Sequence, residues 1–185
     1  TIYIIPDYGN VKTESSISIV ECNFYKNQIH FFSSIYISSG STKSINIQKC
    51  TFTEEDGGIC ISKYKNNINI EENHFLKTYD KAALKITCIS ENSELNVNKC
   101  IFESCNGTDI GCFIIQTITS NFKFENNIIK NNKGTGCQNY FGSIDCNNQT
   151  QYLEIKNNTF ANNVCNSLYG GGIGLKIIGI QYLIF

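Results

Sequence analysis

An eight-residue phrase returns six times along this chain. It reads Ile17-x-Ile19-x-x-Cys22-x-Phe24, Ile45-x-Ile47-x-x-Cys50-x-Phe52 and Ile68-x-Ile70-x-x-Asn73-x-Phe75. It returns as Leu95-x-Val97-x-x-Cys100-x-Phe102, Phe122-x-Phe124-x-x-Asn127-x-Ile129 and Leu153-x-Ile155-x-x-Asn158-x-Phe160. The intervals between starts are 28, 23, 27, 27 and 31 residues. Self-similarity at that period marks a solenoid, in which each coil buries its apolar face against its neighbours. Six coils of 23–31 residues are expected over residues 1–185, as a single domain. Stacked at about 4.8 Å each, they make a rod of roughly 30 Å.

Within a phrase the side chains alternate. Ile17 and Ile19 point one way and Ser18 the other. Two residues bend the chain, and Cys22 and Phe24 point inward again around Asn23. A second apolar segment precedes the later phrases, as in 58–61, 84–89, 111–115 and 140–144, and 31–37 does the same early on. Each coil is thus expected to hold three short strands joined by polar turns, an all-β parallel β-helix. The rival is a leucine-rich repeat, which needs an apolar residue three positions before the first strand leucine. Those positions are Glu14, Thr42, Lys65, Asn92, Thr119 and Thr150, all polar. The β-helix is favoured.

The column Cys22, Cys50, Asn73, Cys100, Asn127 and Asn158 places small polar groups at one inward bend. Stacked amides there would satisfy turn backbone groups that are otherwise buried unpaired, a structural ladder and not a catalytic set.

Ten cysteines invite disulfides in an extracellular chain and buried thiols in a cytosolic one. No C-x-x-C pair exists, and His30 and His74 stand far from any cysteine pair, so no metal site is expected. Cys22 with Cys50, or Cys60 with Cys88, lie in adjacent coils and near enough for bridging. Cys112 and Cys146 share the strand region of Cys60 and Cys88. Cys105, Cys137 and Cys165 are expected in looser turns, where packing constrains a disulfide less.

The 15 positive charges are all Lys, the net charge is −1, and no basic run occurs, so the footprint of nucleic-acid binding is missing. Without Arg, the usual base of a β-helical polysaccharide lyase is absent. Asp7, Asp56, Asp80, Asp109 and Asp145 fall on different turns, so the paired carboxylates of a hydrolase are absent too. The run Glu54-Glu55-Asp56 reads as a solvated acidic turn rather than a cation site. Glu71, Glu72 and His74 are expected to face solvent. No phosphate loop or nucleophile elbow is present, and no cofactor is expected. Gly170–Gly174 reads as a tight turn.

The longest apolar run, Ile177 to Phe185, is too short to span a membrane. With a start at Thr1 and an uncapped apolar end, the chain reads as a piece of a longer repeat protein. An export signal or anchor would lie outside it, and further coils would stack on it. The sequons at Asn106, Asn148 and Asn157 could carry glycans in a secreted eukaryotic chain.

Phe24 to Asn27 and Phe160 to Asn163 fit the phrase F-x-x-N, and Gly57-Gly58-Ile59 and Gly171-Gly172-Ile173 approximate G-G-x-I. With I-x-x-C/N-x-F between them, the chain resembles the polymorphic outer membrane protein repeats of chlamydiae and the related surface repeats of trichomonads. The resemblance implies a right-handed, single-stranded parallel β-helix at a cell surface or secreted, non-enzymatic, binding a host protein or glycan as an adhesin. The Lys-only, Asn-rich composition and the sequons lean toward the protozoan kind. Two other readings remain: a structural spacer, and a carbohydrate-active (pectin-lyase-like) β-helix with an atypical site around Glu55 and Asp56.

Overall fold

Apolar–polar alternation makes each half of the phrase a half-buried strand, and the two residues between the halves make a corner. The computed structural model describes residues 1–4, 16–27, 33–38, 42–88, 93–107, 112–118, 121–134, 142–146, 152–165, 173–177 and 182–184. In it the first half of every phrase forms a strand of one sheet, here sheet B, and the second half a strand of sheet C. Sheet B stacks Ser16–Val20, Ser44–Gln48, Asn67–Glu71, Glu94–Asn98, Asn121–Glu125, Tyr152–Lys156 and Tyr182–Ile184. Sheet C stacks Asn23–Tyr25, Thr51–Thr53, His74–Leu76, Ile101–Glu103, Ile128–Lys130 and Thr159–Ala161. Sheet A holds the third strand of the coil: Ile2–Ile4, Ile35–Ser38, Ile59–Tyr64, Leu84–Cys88, Phe113–Thr117, Gly142–Cys146 and Ile173–Ile177. A fourth ladder, sheet D, adds two-residue strands at Tyr79–Asp80, Asn106–Gly107, Lys133–Gly134 and Val164–Cys165.

Neighbouring strands pair in parallel and in register, for example Ile45↔Ile68 and Leu95↔Phe122. The result is an all-β parallel β-solenoid with three main strands per coil. The expectation of six equivalent coils is corrected. Among the described residues about four coils are complete, in that they carry a strand in all four sheets, because sheet D has four strands. The phrase marks only the B and C sides of a coil, so counting phrases overcounts complete turns.

Two corners per coil are built the same way. The residue before each inward ladder position has positive φ: Glu21, Lys49, Glu72, Lys99, Asn126 and Asn157 between sheets B and C, all at 51–56°. Lys26, Glu54, Lys77, Ser104, Asn131 and Asn162 do the same after sheet C, at 52–57°. A left-handed non-glycine residue costs roughly 1–2 kcal/mol. Ten of these twelve spend the N–H on the next coil, as in Lys49 N to Glu71 O (3.1 Å) and Lys77 N to Glu103 O (2.9 Å). The stack thus holds conformations that a single coil would not keep.

Inside, like residues lie over like. Phe24, Phe52, Phe75 and Phe102 stack face to face with ring centroids 4.8–4.9 Å apart and planes within 9°. Isoleucines of sheets A and B fill the other walls, with Ile35, Ile47, Ile61 and Ile70 wholly buried. Phe160 continues the column but is 40% exposed, since Thr159–Ala161 is the last strand of sheet C. Gly58 belongs to the packing: a Cβ there would lie 2.4 Å from Ala83 O and 2.6 Å from the Phe75 ring.

Candidate functional site

The inward bend positions form two hydrogen-bonded columns. In the first, each side chain reaches back to the same carbonyl of the preceding coil. Asn73 Nδ2 donates to Ile47 O (2.9 Å), Asn127 Nδ2 to Val97 O (3.1 Å) and Asn158 Nδ2 to Phe124 O (2.7 Å). The Cys50 and Cys100 thiols donate to the equivalent Ile19 O (3.7 Å) and Ile70 O (3.5 Å). The asparagines also accept from the preceding coil's ladder N–H: Asn73 Oδ1 from Cys50 N, Asn127 Oδ1 from Cys100 N and Asn158 Oδ1 from Asn127 N, all 2.9 Å. Cys22, nearest the N-terminal end, is half-buried and donates to its own Val20 O (3.4 Å). Chemically the column stitches coils together. Burial raises the Cys50 thiol pKa, and pushes that of Cys100 up to about 12, so these sulfurs are poor nucleophiles.

The sequence showed only the two ends of the second column, in the F-x-x-N phrases at Asn27 and Asn163; the column is Asn27, Glu55, Thr78, Cys105, Asn132 and Asn163, each three residues after an inward Phe or Ile. Cys105 N donates to Asn132 Oδ1 (2.7 Å), and Asn132 Nδ2 donates to Phe102 O (3.0 Å) and to Asn163 Oδ1 (2.9 Å). Two expectations fail here. Cys105 is not in a loose turn but is 1% exposed. Glu55 is not solvated but fully buried, accepting from Asn27 N and Asn27 Nδ2 (both 3.1 Å) and from Ser34 Oγ. The left-handed corner at Glu54 shifts the alternation by one residue, so Glu55 rather than Glu54 turns inward after Phe52. Its oxygens are engaged in holding the first coils together.

Other cysteine expectations change as well. Cys60 and Cys88 do not face each other: Cys60 pairs with Lys85 in register, and Cys88 with Tyr64. Cys60 faces out, half-buried, while Cys112 and Cys146 are buried inside. Cys22, Cys50, Cys60, Cys100, Cys105 and Cys112 are free thiols. Cys137 lies outside the described residues, as do His30 and Asn148. Of the other sequons, Asn157 is exposed at its corner, and Asn106 is half-buried in sheet D with Oδ1 enclosed and unpaired. His74 faces outward, with Nε2 3.6 Å from Glu103. Among the described residues no three His, Cys, Asp or Glu gather as a metal site, and no helix is long and apolar enough to cross a membrane.

The chemistry open to solvent lies on the outer face of sheet B. Strict register turns its outward residues into straight columns. In the middle column Asn69 Nδ2 donates to Asn46 Oδ1 (3.0 Å) and Asn96 Nδ2 to Asn69 Oδ1 (2.7 Å). Beside it Gln48 and Asn98 both donate to Glu71, at 3.0 and 3.2 Å. Each linked amide keeps a second N–H and a second lone pair for a ligand. The face forms a shallow trough of about 640 Å³ lined by Ser44, Asn46, Asn69, Glu94, Asn96 and Lys123, among others. Asn121, also lining it, holds Oδ1 buried without a hydrogen-bond partner. Toward the C-terminal end a charged cluster closes the column. Lys123 lies 3.8 Å from Glu154, and Lys156 pairs with Glu125 (3.2 Å) and with Glu154. The hydrogen bond from Lys156 holds the Glu154 carboxyl below its usual pKa. The sequence showed these residues only as the polar half of each alternation; their alignment into a surface needs the register.

No curated protein and no solved structure matches the chain. The described family of right-handed β-helix regions matches residues 10–179. The parallel coils, inward ladders and this match over most of the length agree, and the chain belongs to the right-handed β-helix family.

Proposed function

We propose that this chain is a non-enzymatic binding solenoid, secreted or displayed on a cell surface, of the kind used by the chlamydial and trichomonad repeats it resembles. Its contact surface for a host glycan or protein is the outer face of sheet B. The observation that carries this reading is the amide column Asn46–Asn69–Asn96, hydrogen-bonded along the axis and open to solvent over a trough of about 640 Å³. Such a face offers paired donors and acceptors at one-coil spacing, and its Lys123, Glu125, Glu154 and Lys156 charges are paired with one another. That suits the hydroxyl groups of a glycan better than an acidic polymer.

The test presents the whole chain to a glycan array and to host-cell surfaces beside a known adhesin. Saturable binding is expected, and Asn69→Ala with Asn96→Ala should weaken it by about ten-fold, the loss of one or two net hydrogen bonds. No binding where the control binds, or binding indifferent to that double variant, overturns the assignment. Release of sugar ends from a polysaccharide panel would replace it with the carbohydrate-active reading.

A further inference from the structure

Where sheet D closes the coil, the interior holds two thiols side by side. Cys105 sits in the second ladder and Cys112 precedes the strand Phe113–Thr117; each is 1% exposed, and their thiols share a hydrogen bond. Their two columns also meet elsewhere in the stack. In the first coil the two equivalent positions are Asn27 and Ser34, and both side chains donate to the single Glu55 carboxylate of the next coil, so within one coil the two columns run no farther apart than one carboxylate can span. Packing does not require sulfur at either place. The preceding coil fills the same two positions with Thr78 and Ala83, both buried.

We propose that Cys105 and Cys112 are a cross-linking site: they form a disulfide within one coil, tying sheet C across the sheet D corner to sheet A. The oxidant is a small-molecule disulfide. The Cys105 thiolate attacks one of its sulfurs and expels one thiolate. The Cys112 thiolate then attacks the Cys105 sulfur of the mixed disulfide and expels the second. Two electrons pass to the oxidant, and the two thiol protons end on its two released thiols. Burial raises both thiols, but hydrogen bonds, that with Cys112 foremost, bring Cys105 below its usual value. The oxidant cannot reach the closed coil, so the bond forms during folding or on local opening, and once formed it resists reduction.

The test refolds the full chain in a glutathione redox buffer and maps disulfides by non-reducing digestion and mass spectrometry. A Cys105–Cys112 linked peptide is expected. Closing a loop of about eight residues should raise Tm by roughly 5–10 °C over the reduced protein. The double variant Cys105→Thr/Cys112→Ala copies the preceding coil, so it should fold with the Tm of the reduced protein and gain nothing on oxidation. Recovery of either cysteine as a free thiol, or linked to Cys137 or Cys165, overturns the assignment. A double variant that still gains Tm on oxidation also overturns it.

Discussion

Replacing Asn127 tests whether the ladder amides stitch the coils or only fill space. Asn127 is fully buried, and its side chain accepts from Cys100 N (2.9 Å) and donates to Val97 O (3.1 Å) and Asn158 Oδ1 (3.0 Å). Alanine removes all three bonds. Asn158 Oδ1 keeps the Asn127 backbone N–H and Val97 O keeps its place in the strand ladder, but Cys100 N–H is left buried without a partner. That orphan costs about 1–3 kcal/mol and each of the other two lost bonds about 0.5–1.5 kcal/mol, so Asn127→Ala should lose roughly 2–4 kcal/mol. Cysteine is the informative control. At positions 50 and 100 a thiol already donates to the carbonyl equivalent to Val97 O. Asn127→Cys should therefore keep the bond to Val97 O while stranding Cys100 N–H, and lose about 1–2 kcal/mol. Equilibrium urea unfolding followed by far-UV circular dichroism reads both, with unchanged m-values expected. Equal losses for the two variants, or less than about 1 kcal/mol for alanine, would refute the reasoning, because a void-filling role distinguishes them only by volume.

Gly58→Ala should cost about 2 kcal/mol or more, since its Cβ would meet Ala83 O at 2.4 Å and the Phe75 ring at 2.6 Å; thermal unfolding shows this as a lowered Tm. Cys100, raised from 9.0 to about 12, stabilises the fold as a neutral thiol. That contribution is complete below pH 9 and is lost as pH climbs toward 12, roughly 4 kcal/mol across the window. A pH series of urea melts should show this alkaline decline, and Cys100→Ala should flatten it. Glu55→Gln should lose less than Glu55→Ala, because the amide oxygen can still accept from Asn27 while the Ser34 hydroxyl turns to accept; chemical denaturation ranks the pair. Lys99→Gln should change stability by under about 1 kcal/mol despite contacts to Glu71 (3.8 Å) and Glu72 (3.2 Å), since all three side chains are solvated.

The legible part of the fold was the part the phrase spells out. Ile45, Ile47, Cys50 and Phe52 announce two strands and a corner because apolar alternation on both sides of a fixed two-residue gap has few other readings. Most of the second ladder escaped because its chemistry is irregular: an amide at Asn27, a carboxylate at Glu55, a hydroxyl at Thr78 and a thiol at Cys105. The available signal was position, always three residues beyond the inward aromatic or isoleucine. Cys60 pairs with Lys85 because Ile59 and Ile61 register on Leu84 and Ile86, which leaves Cys88 three positions farther along; the two cysteines look equivalent in the sequence only because both fall in the same strand region. The linked amides of sheet B look, one strand at a time, like ordinary solvated positions.

The interior dictates what the exterior can recognise. Ring stacking at 4.8–4.9 Å and the amide ladder fix each coil above the last, leaving no freedom of register. A one-residue slip would turn Ile45 and Ile47 outward and bury Asn46, which the core forbids. Outward residues are therefore forced into straight columns at the coil spacing, whatever their identity. Substitutions on that face leave the fold nearly untouched, while each one alters a contact repeated along the axis. On the binding role proposed above, a surface built this way would recognise partners by repetition, and its specificity would change one column position at a time while Asn73, Asn127 and the phenylalanine stack keep the scaffold constant.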